Sequence, residues 1–152
     1  MPLPAPTFWY RRSPSLRALL LRPLSVLYAL GSGLHRGWVR PLRLPVPVVS
    51  IGNITLGGTG KTPLVAWLAD YLQSQGYRPG IISRGYGGRA SSWPQQVRPD
   101  SDPNIVGDEP VLLAGITGCP MAVAPNRVAA ARALIEHSDC NVIISDDGLQ
   151  HY

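Results

Sequence analysis

Lysine is almost absent from this chain. Lys61 is the only one in 152 residues, and no Asp or Glu occurs before Asp70. Cysteine is nearly as scarce: Cys119 and Cys140 stand outside any CxxC or Cys/His ligand spacing. That spacing argues against a zinc site or a disulfide and for buried free thiols in a reducing compartment. No internal repeat or simple low-complexity tract accompanies the 16 glycines and 16 prolines, which therefore read as many short connections. The single lysine follows Gly60, so a guanine-specific Asn-Lys-x-Asp motif is impossible within these residues.

What is present is enough apolar residue for one domain with a core, at 45% hydrophobic content. The net charge of +5 hides an asymmetry, because Arg11, Arg12, Arg17, Arg22, Arg36, Arg40 and Arg43 form a purely cationic front. Such a block suits nucleic acid, anionic lipid or plain solvent. Leu16 to Leu34 lies between these arginines, dense in leucine and interrupted by Arg17, Arg22 and Pro23. A spanning helix wants about 20 apolar residues with few charges, so this segment fits the plane of a membrane interface better than a crossing. Trp9, Tyr10 and Trp38 near its ends and snorkelling arginines support that reading. Leucine rather than stacking residues separates the charges, which speaks against nucleic acid. A signal peptide and an ordinary helix packed on the domain are the competing readings.

The stretch Thr55-Leu56-Gly57-Gly58-Thr59-Gly60-Lys61-Thr62 reads as a phosphate-binding loop. Its glycines permit φ > 0, so successive N–H groups can form a nest around anionic oxygens. Lys61 would reach the β and γ phosphates, and the Thr62 hydroxyl would bind Mg²⁺. The usual pattern opens with glycine where Thr55 stands. The flanks supply the required context: Val46 to Ile51 predicts a buried parallel strand, and Pro63 with Leu64, Leu68 and Leu72 predicts a helix ending at Gly76. The helix N-terminus then faces the phosphates.

Further on, Arg78 to Ser83 predicts a second parallel strand reached by a helical crossover. Ser83-Arg84-Gly85-Tyr86-Gly87-Gly88-Arg89 sits at its carboxyl end, where open α/β sheets bind ligands. Arg84 and Arg89 fit phosphate contact and Tyr86 stacking or hydrogen bonding; a glycine loop with solvated arginines fits equally. Residues Ala90 to Asn104 show no periodicity and are expected to form a long surface connection. Asp108 and Glu109 precede an apolar stretch, Val111 to Ile116, where Asp before a Pro-started helix is also an ordinary N-cap. Met121 to Ala124 predicts a third strand, and Asn126 a cap for a helix with Val128, Ala131, Leu134 and Ile135 buried. Arg127 falls in that helix's first turn, unfavourable for a cation without an anionic partner. Val142 to Ser145 then leads into Asp146-Asp147, a strand ending in acid of the kind that holds Mg²⁺ behind a phosphate loop. Strand alternation makes Asp146 the metal-facing group and turns Asp147 to the opposite face.

Four motifs in this order, Gly52 to Pro63, Ser83 to Gly87, Val106 to Pro110 and Asp146-Asp147-Gly148-Leu149-Gln150-His151, resemble the tetraacyldisaccharide 4'-kinase family, in which Thr55 at the loop's first position is normal. The resemblance implies an α/β fold, a P-loop NTPase-like parallel sheet flanked by helices and preceded by an N-terminal membrane-associated helix. It divides the chain into a basic, apolar membrane segment over 1–44 and a partial P-loop kinase domain over 45–152. It implies transfer of the γ-phosphoryl of ATP, with Mg²⁺, to the 4'-hydroxyl of a tetraacylated glucosamine disaccharide 1-phosphate. The expected location is the cytoplasmic face of the bacterial inner membrane, with no nucleic-acid partner and no protein partner evident. Asp108 becomes the candidate base, Glu109, Asp146 and Asp147 join Thr62 as the metal set, and Asn53, Arg84, Tyr86, Arg127 and His151 become supporting residues. Family members are about twice as long. The expectation is that a C-terminal half carrying further strands, a closing subdomain and a histidine partner for the catalytic aspartate is missing, leaving the 152-residue chain inactive. Neither His35 nor His137 fits that histidine's place. The alternative from another class is a membrane-associated P-loop ATPase that sorts partners, but Leu56 stands where that group carries a signature lysine.

Overall fold

The computed structural model describes residues 16–38, 42–52 and 60–148. The described residues divide into two compact units, the first holding residues 16–38 and the second residues 42–52 and 60–148.

In the first unit, helix α1 spans Leu16–Leu20 and helix α2 spans Arg22–Trp38. The break falls where Pro23 removes a backbone donor, a position tolerated in a helix's first turn. Leu24, Leu27 and Leu34 recur at helical spacing on α2 and are exposed, as is Tyr28. No helix among the described residues is long and apolar enough to cross a membrane.

The second unit is a five-stranded sheet with helices on both faces. Its strands are β1 (Val48–Ser50), β2 (Pro79–Ser83), β3 (Gln95–Val97), β4 (Met121–Val123) and β5 (Val142–Ser145). Their spatial order is β1-β5-β2-β4-β3, parallel throughout except for antiparallel β3. Between them run α3 (Lys61–Ser74), α4 (Pro103–Val106), α5 (Asp108–Thr117) and α6 (Arg127–His137).

Strand alternation sorts the core into two layers. Ile81, Met121, Val123 and Ile144 join Val65 and Ala69 of α3 and Leu113 and Ala114 of α5, whereas Ile82, Ala122 and Ile143 join Ala130, Ala131 and Leu134 of α6. Continuous apolar runs are what a parallel strand covered on both faces requires. The predicted buried face of α3 shifts by one position: Val65 and Ala69 are buried, Leu68 and Leu72 flank them, and Leu64 is exposed. On α6, Val128 likewise lies outside the buried face.

Two expectations fail at the sheet's edges. β1 is not a buried strand, since it occupies one edge of the described sheet, with Val48 47% and Val49 38% exposed. Residues 90–104 are not a structureless connection. Gln95–Val97 pairs antiparallel with β4 in the register Gln95↔Val123 and Val97↔Met121, burying Val97, and Asp102 caps α4.

Helix ends follow from local chemistry. Gly76, at φ 81, ends α3 in a Schellman arrangement in which Gly76 N–H donates to Gln73 O and Tyr77 N–H to Leu72 O. Asn126 caps α6 by accepting from the N–H groups of Val128 and Ala129. Cys119 and Cys140 are buried free thiols, and burial pushes the Cys119 thiol pKa up.

Candidate functional site

The carboxyl ends of β1, β2 and β5 are tied together by backbone bonds. Ile51 N–H donates to Ser145 O at 2.9 Å, Asp146 N–H to Ile82 O at 2.9 Å, and Gly148 N–H to Ile51 O at 2.9 Å. The turn Asp146-Asp147-Gly148 is thereby stitched across the sheet. A Cβ on Gly148 would lie 1.9 Å from Ser50 Oγ and 3.1 Å from Ser145 Oγ, so only glycine fits that contact undisturbed. Asp147 adopts φ 54, the only positive φ among the described non-glycine residues.

Lys61 opens α3, after Gly60 in the left-handed conformation at φ 75. Its Nζ lies 2.5 Å from Asp147 Oδ1. The next residue, Thr62, donates its hydroxyl to Glu109 Oε1 near the start of α5. The helix expected to face phosphate therefore meets acids from two other elements.

Asp146 is 2% exposed, and its Oδ1 has no partner among the described residues. Burial raises its carboxyl pKa above the ordinary value, with Glu109 and Asp147 adding repulsion against the opposing pull of Lys61. Arg127 stands at the first position of α6, and its Nη2 donates to the Asp147 carbonyl at 2.7 Å. Burial lowers its pKa, Asp147 and Asp146 oppose that, and the charge of Arg84 adds to it.

Asp147 does not turn to the opposite face. The strand ends at Ser145, the two acids occupy a turn, and the left-handed backbone brings Asp147 to Lys61. Nor is Asp108 an N-cap: Gly107 caps α5, and Asp108 is its exposed first residue, beside Glu109. The loop carrying Arg84 and Tyr86 packs backbone to backbone on the segment preceding Asp108. A Cβ at Gly88 would lie 2.5 Å from Ile105 O, and one at Gly107 would lie 2.7 Å from Tyr86 O. Arg89 N–H also donates to Asn104 O at 2.9 Å. Arg84 and Tyr86 are exposed on this clamped loop. Asn53, Thr55, Leu56, Gly57, Gly58, Thr59 and His151 lie outside the described residues.

Sequence reasoning missed Ser50, whose hydroxyl fills the space facing Gly148; no motif marks it. It also missed the Thr62–Glu109 bond, although Glu109 belonged to a recognised motif. Among the described residues, no three His, Cys, Asp or Glu side chains are grouped to hold a metal on their own. Mg²⁺ asks for less, one or two carboxylates plus substrate phosphates and water. The unpartnered Asp146 oxygen fits such a demand. A cleft between β3, β4 and α6, lined by Gln95, Gln96, Ala122, Leu134 and His137, contains none of these residues.

A parallel sheet whose strand-end acids meet the Gly-Lys-Thr start of a helix defines a P-loop NTPase-like α/β protein. The family model described as Tetraacyldisaccharide-1-P 4'-kinase matches residues 17–152, and the chain belongs to that family. It is 60% identical over 152 residues to a tetraacyldisaccharide 4'-kinase from Alkalilimnicola ehrlichii, covering 97% of this chain and 46% of that protein. It is also 60% identical over 150 residues to one from Nitrosococcus oceani, covering 95% and 44%. The crystal structure of the "apo" form of LpxK from Aquifex aeolicus in complex with ATP superposes with a TM-score of 0.74 at 34% identity, over 86% of this chain and 44% of that one. The chain thus spans under half the length of the relatives it matches.

Proposed function

We propose that the protein this chain represents transfers the γ-phosphoryl group of ATP to the 4'-hydroxyl of a tetraacylated glucosamine disaccharide 1-phosphate. The observation that carries the proposal is the meeting of Lys61 with Asp147 and of Thr62 with Glu109, two elements converging on one helix start. Lys61 and the N-terminus of α3 bind the triphosphate, and a neighbouring structure holding ATP supports nucleotide as the ligand. Thr62, Glu109 and Asp146 are the residues that would hold Mg²⁺, which when bound neutralises charge on the phosphates. Asp108, exposed at the start of α5, accepts the proton of the sugar hydroxyl. Phosphoryl transfer asks chiefly for positioning and charge neutralisation, which this arrangement supplies.

The exposed leucines of α2 and the arginine-rich front support attachment to the cytoplasmic face of the bacterial inner membrane. An enzyme lying there meets the sugar headgroup while the acyl chains stay in the bilayer. No observation favours the partner-sorting ATPase.

The test is Asp108→Ala in the full-length protein, assayed for lipid phosphorylation and for Mg-ATP binding. Phosphorylation is expected to disappear while nucleotide binding survives. Equal loss of both would assign Asp108 to the nucleotide and remove it from proton transfer. For the membrane reading, Leu24→Asp with Leu27→Asp is expected to release the protein from anionic vesicles in co-sedimentation; unchanged pelleting would sink it.

A further inference from the structure

Arg127 occupies a costly place. It opens α6, where its charge meets the positive end of the helix dipole, and it is half-buried. The amides of that turn are served by Asn126, and a guanidinium, which only donates, could not cap them. What it does instead is donate from Nη2 to the Asp147 carbonyl at 2.7 Å. Asp147 is the residue held in the left-handed region, a conformation unfavourable for a residue with a Cβ. The turn's other ties, at Asp146 N–H and Gly148 N–H, lie on either side of it.

We infer that Arg127 is a positioning residue which holds the acidic turn in its left-handed shape through the Asp147 carbonyl, setting the Asp146 and Asp147 carboxylates toward Lys61 and a bound divalent cation, instead of gripping substrate phosphate itself. Arg84 supports the division of labour. It is exposed, close enough for its charge to be felt at Arg127, and without a salt-bridge partner among the described residues. The Nη2 of Arg127 is committed to the Asp147 carbonyl, and its Nε is buried without a partner among the described residues.

The inference rests on reading the acidic turn as the cation-holding side of a nucleotide site, and the experiment separates the two. Mn²⁺ binding to the full-length protein with a non-hydrolysable ATP analogue is followed by electron paramagnetic resonance, alongside metal-free ATP affinity and steady-state kinetics. For Arg127→Leu, the Mn²⁺ dissociation constant rises about 10- to 100-fold, the range expected when a group supporting a metal ligand is lost. kcat falls in parallel, while KM for the lipid stays unchanged and metal-free ATP binds as tightly as before or a few-fold tighter, because Asp147 holds Lys61 less firmly. Arg127→Lys keeps one donor and falls between; should Arg127→Leu fail to fold, the lysine variant alone carries the test by the same split. A rise in KM or loss of metal-free ATP affinity with Mn²⁺ binding intact would make Arg127 a phosphate ligand and overturn the inference. No change in any readout would overturn it too. Absence of Mn²⁺ binding in the unaltered protein would instead bring down the nucleotide-site reading, and this inference with it.

Discussion

Lys61 Nζ and Asp147 Oδ1 lie 2.5 Å apart, joining the first residue of α3 to the turn that follows β5. The cation suited to a triphosphate is thus held by a carboxylate. On the proposed function, nucleotide phosphate competes with Asp147 for the same ammonium, so affinity measures a difference between two anionic partners.

The exchange predicts opposite effects for its two members. Lys61→Ala removes a charge-assisted contact and should weaken ATP binding roughly 10- to 100-fold. Asp147→Asn frees the ammonium; because the pair is partly exposed, at 22% and 34%, the gain is small, a few-fold tightening of metal-free ATP at most about tenfold. Calorimetry without divalent cation measures both. Unchanged metal-free affinity in Asp147→Asn would show that the pair does not compete with phosphate.

The Thr62–Glu109 bond couples α3 to α5 across sequence-distant elements. Thr62→Val should destabilise the fold, and it should cost less in a Glu109→Gln background, where the hydroxyl no longer meets a carboxylate. The coupling is expected at about 0.5–1.5 kcal/mol in denaturant unfolding. Strict additivity would mean the bond contributes nothing in solution.

Much of the fold and site is legible in the sequence. The β-branched run after Arg78, the Asn126 cap and the strand leading into Asp146 each carry a local signal that the fold obeys. The failures share a cause, which is dependence on a distant partner. Gln95–Val97 is polar and only three residues long, and becomes a strand because β4 offers its edge. Asp147 escapes the two-residue alternation because the strand ends at Ser145, and nothing local announces that the backbone then turns left-handed. Ser50 looks like any strand-end serine until Gly148 is placed against it.

The glycine clamp between the Tyr86 loop and the segment before Asp108 predicts a steric penalty at Gly88. An alanine Cβ there meets the Ile105 carbonyl oxygen at 2.5 Å and the Val106 carbonyl carbon at 3.0 Å, neither of which can rotate away. Gly88→Ala should destabilise by about 1–3 kcal/mol, lowering the melting temperature by roughly 2–4 °C per kcal/mol at this size or somewhat larger. Gly115→Ala is the control, since a Cβ there meets nothing within 4 Å and α5 gains helix propensity. It should raise the melting temperature. Equal effects of the two would refute the clamp.

Asp146 predicts a pH dependence with a definite sign. Burial and the neighbouring acids hold its folded pKa above the ordinary 3.8, so the folded state keeps this proton when the unfolded chain has lost it. Stability therefore falls as pH rises from about 3.8 through the raised value, and the loss persists above it. Asp146→Asn preserves shape and removes the ionisation. In the presence of a chelator, the variant should be more stable than the unaltered protein at neutral pH, and the difference should shrink as pH falls toward 3.8. Added Mg-ATP should reverse the order at neutral pH, because the charged form then gains a cation and a stabilising ligand while asparagine does not. Thermal unfolding at a series of pH values, with and without Mg-ATP, reads both effects. A difference independent of pH, or an asparagine variant less stable at neutral pH without metal, would show that the Asp146 carboxylate is already satisfied in the folded chain.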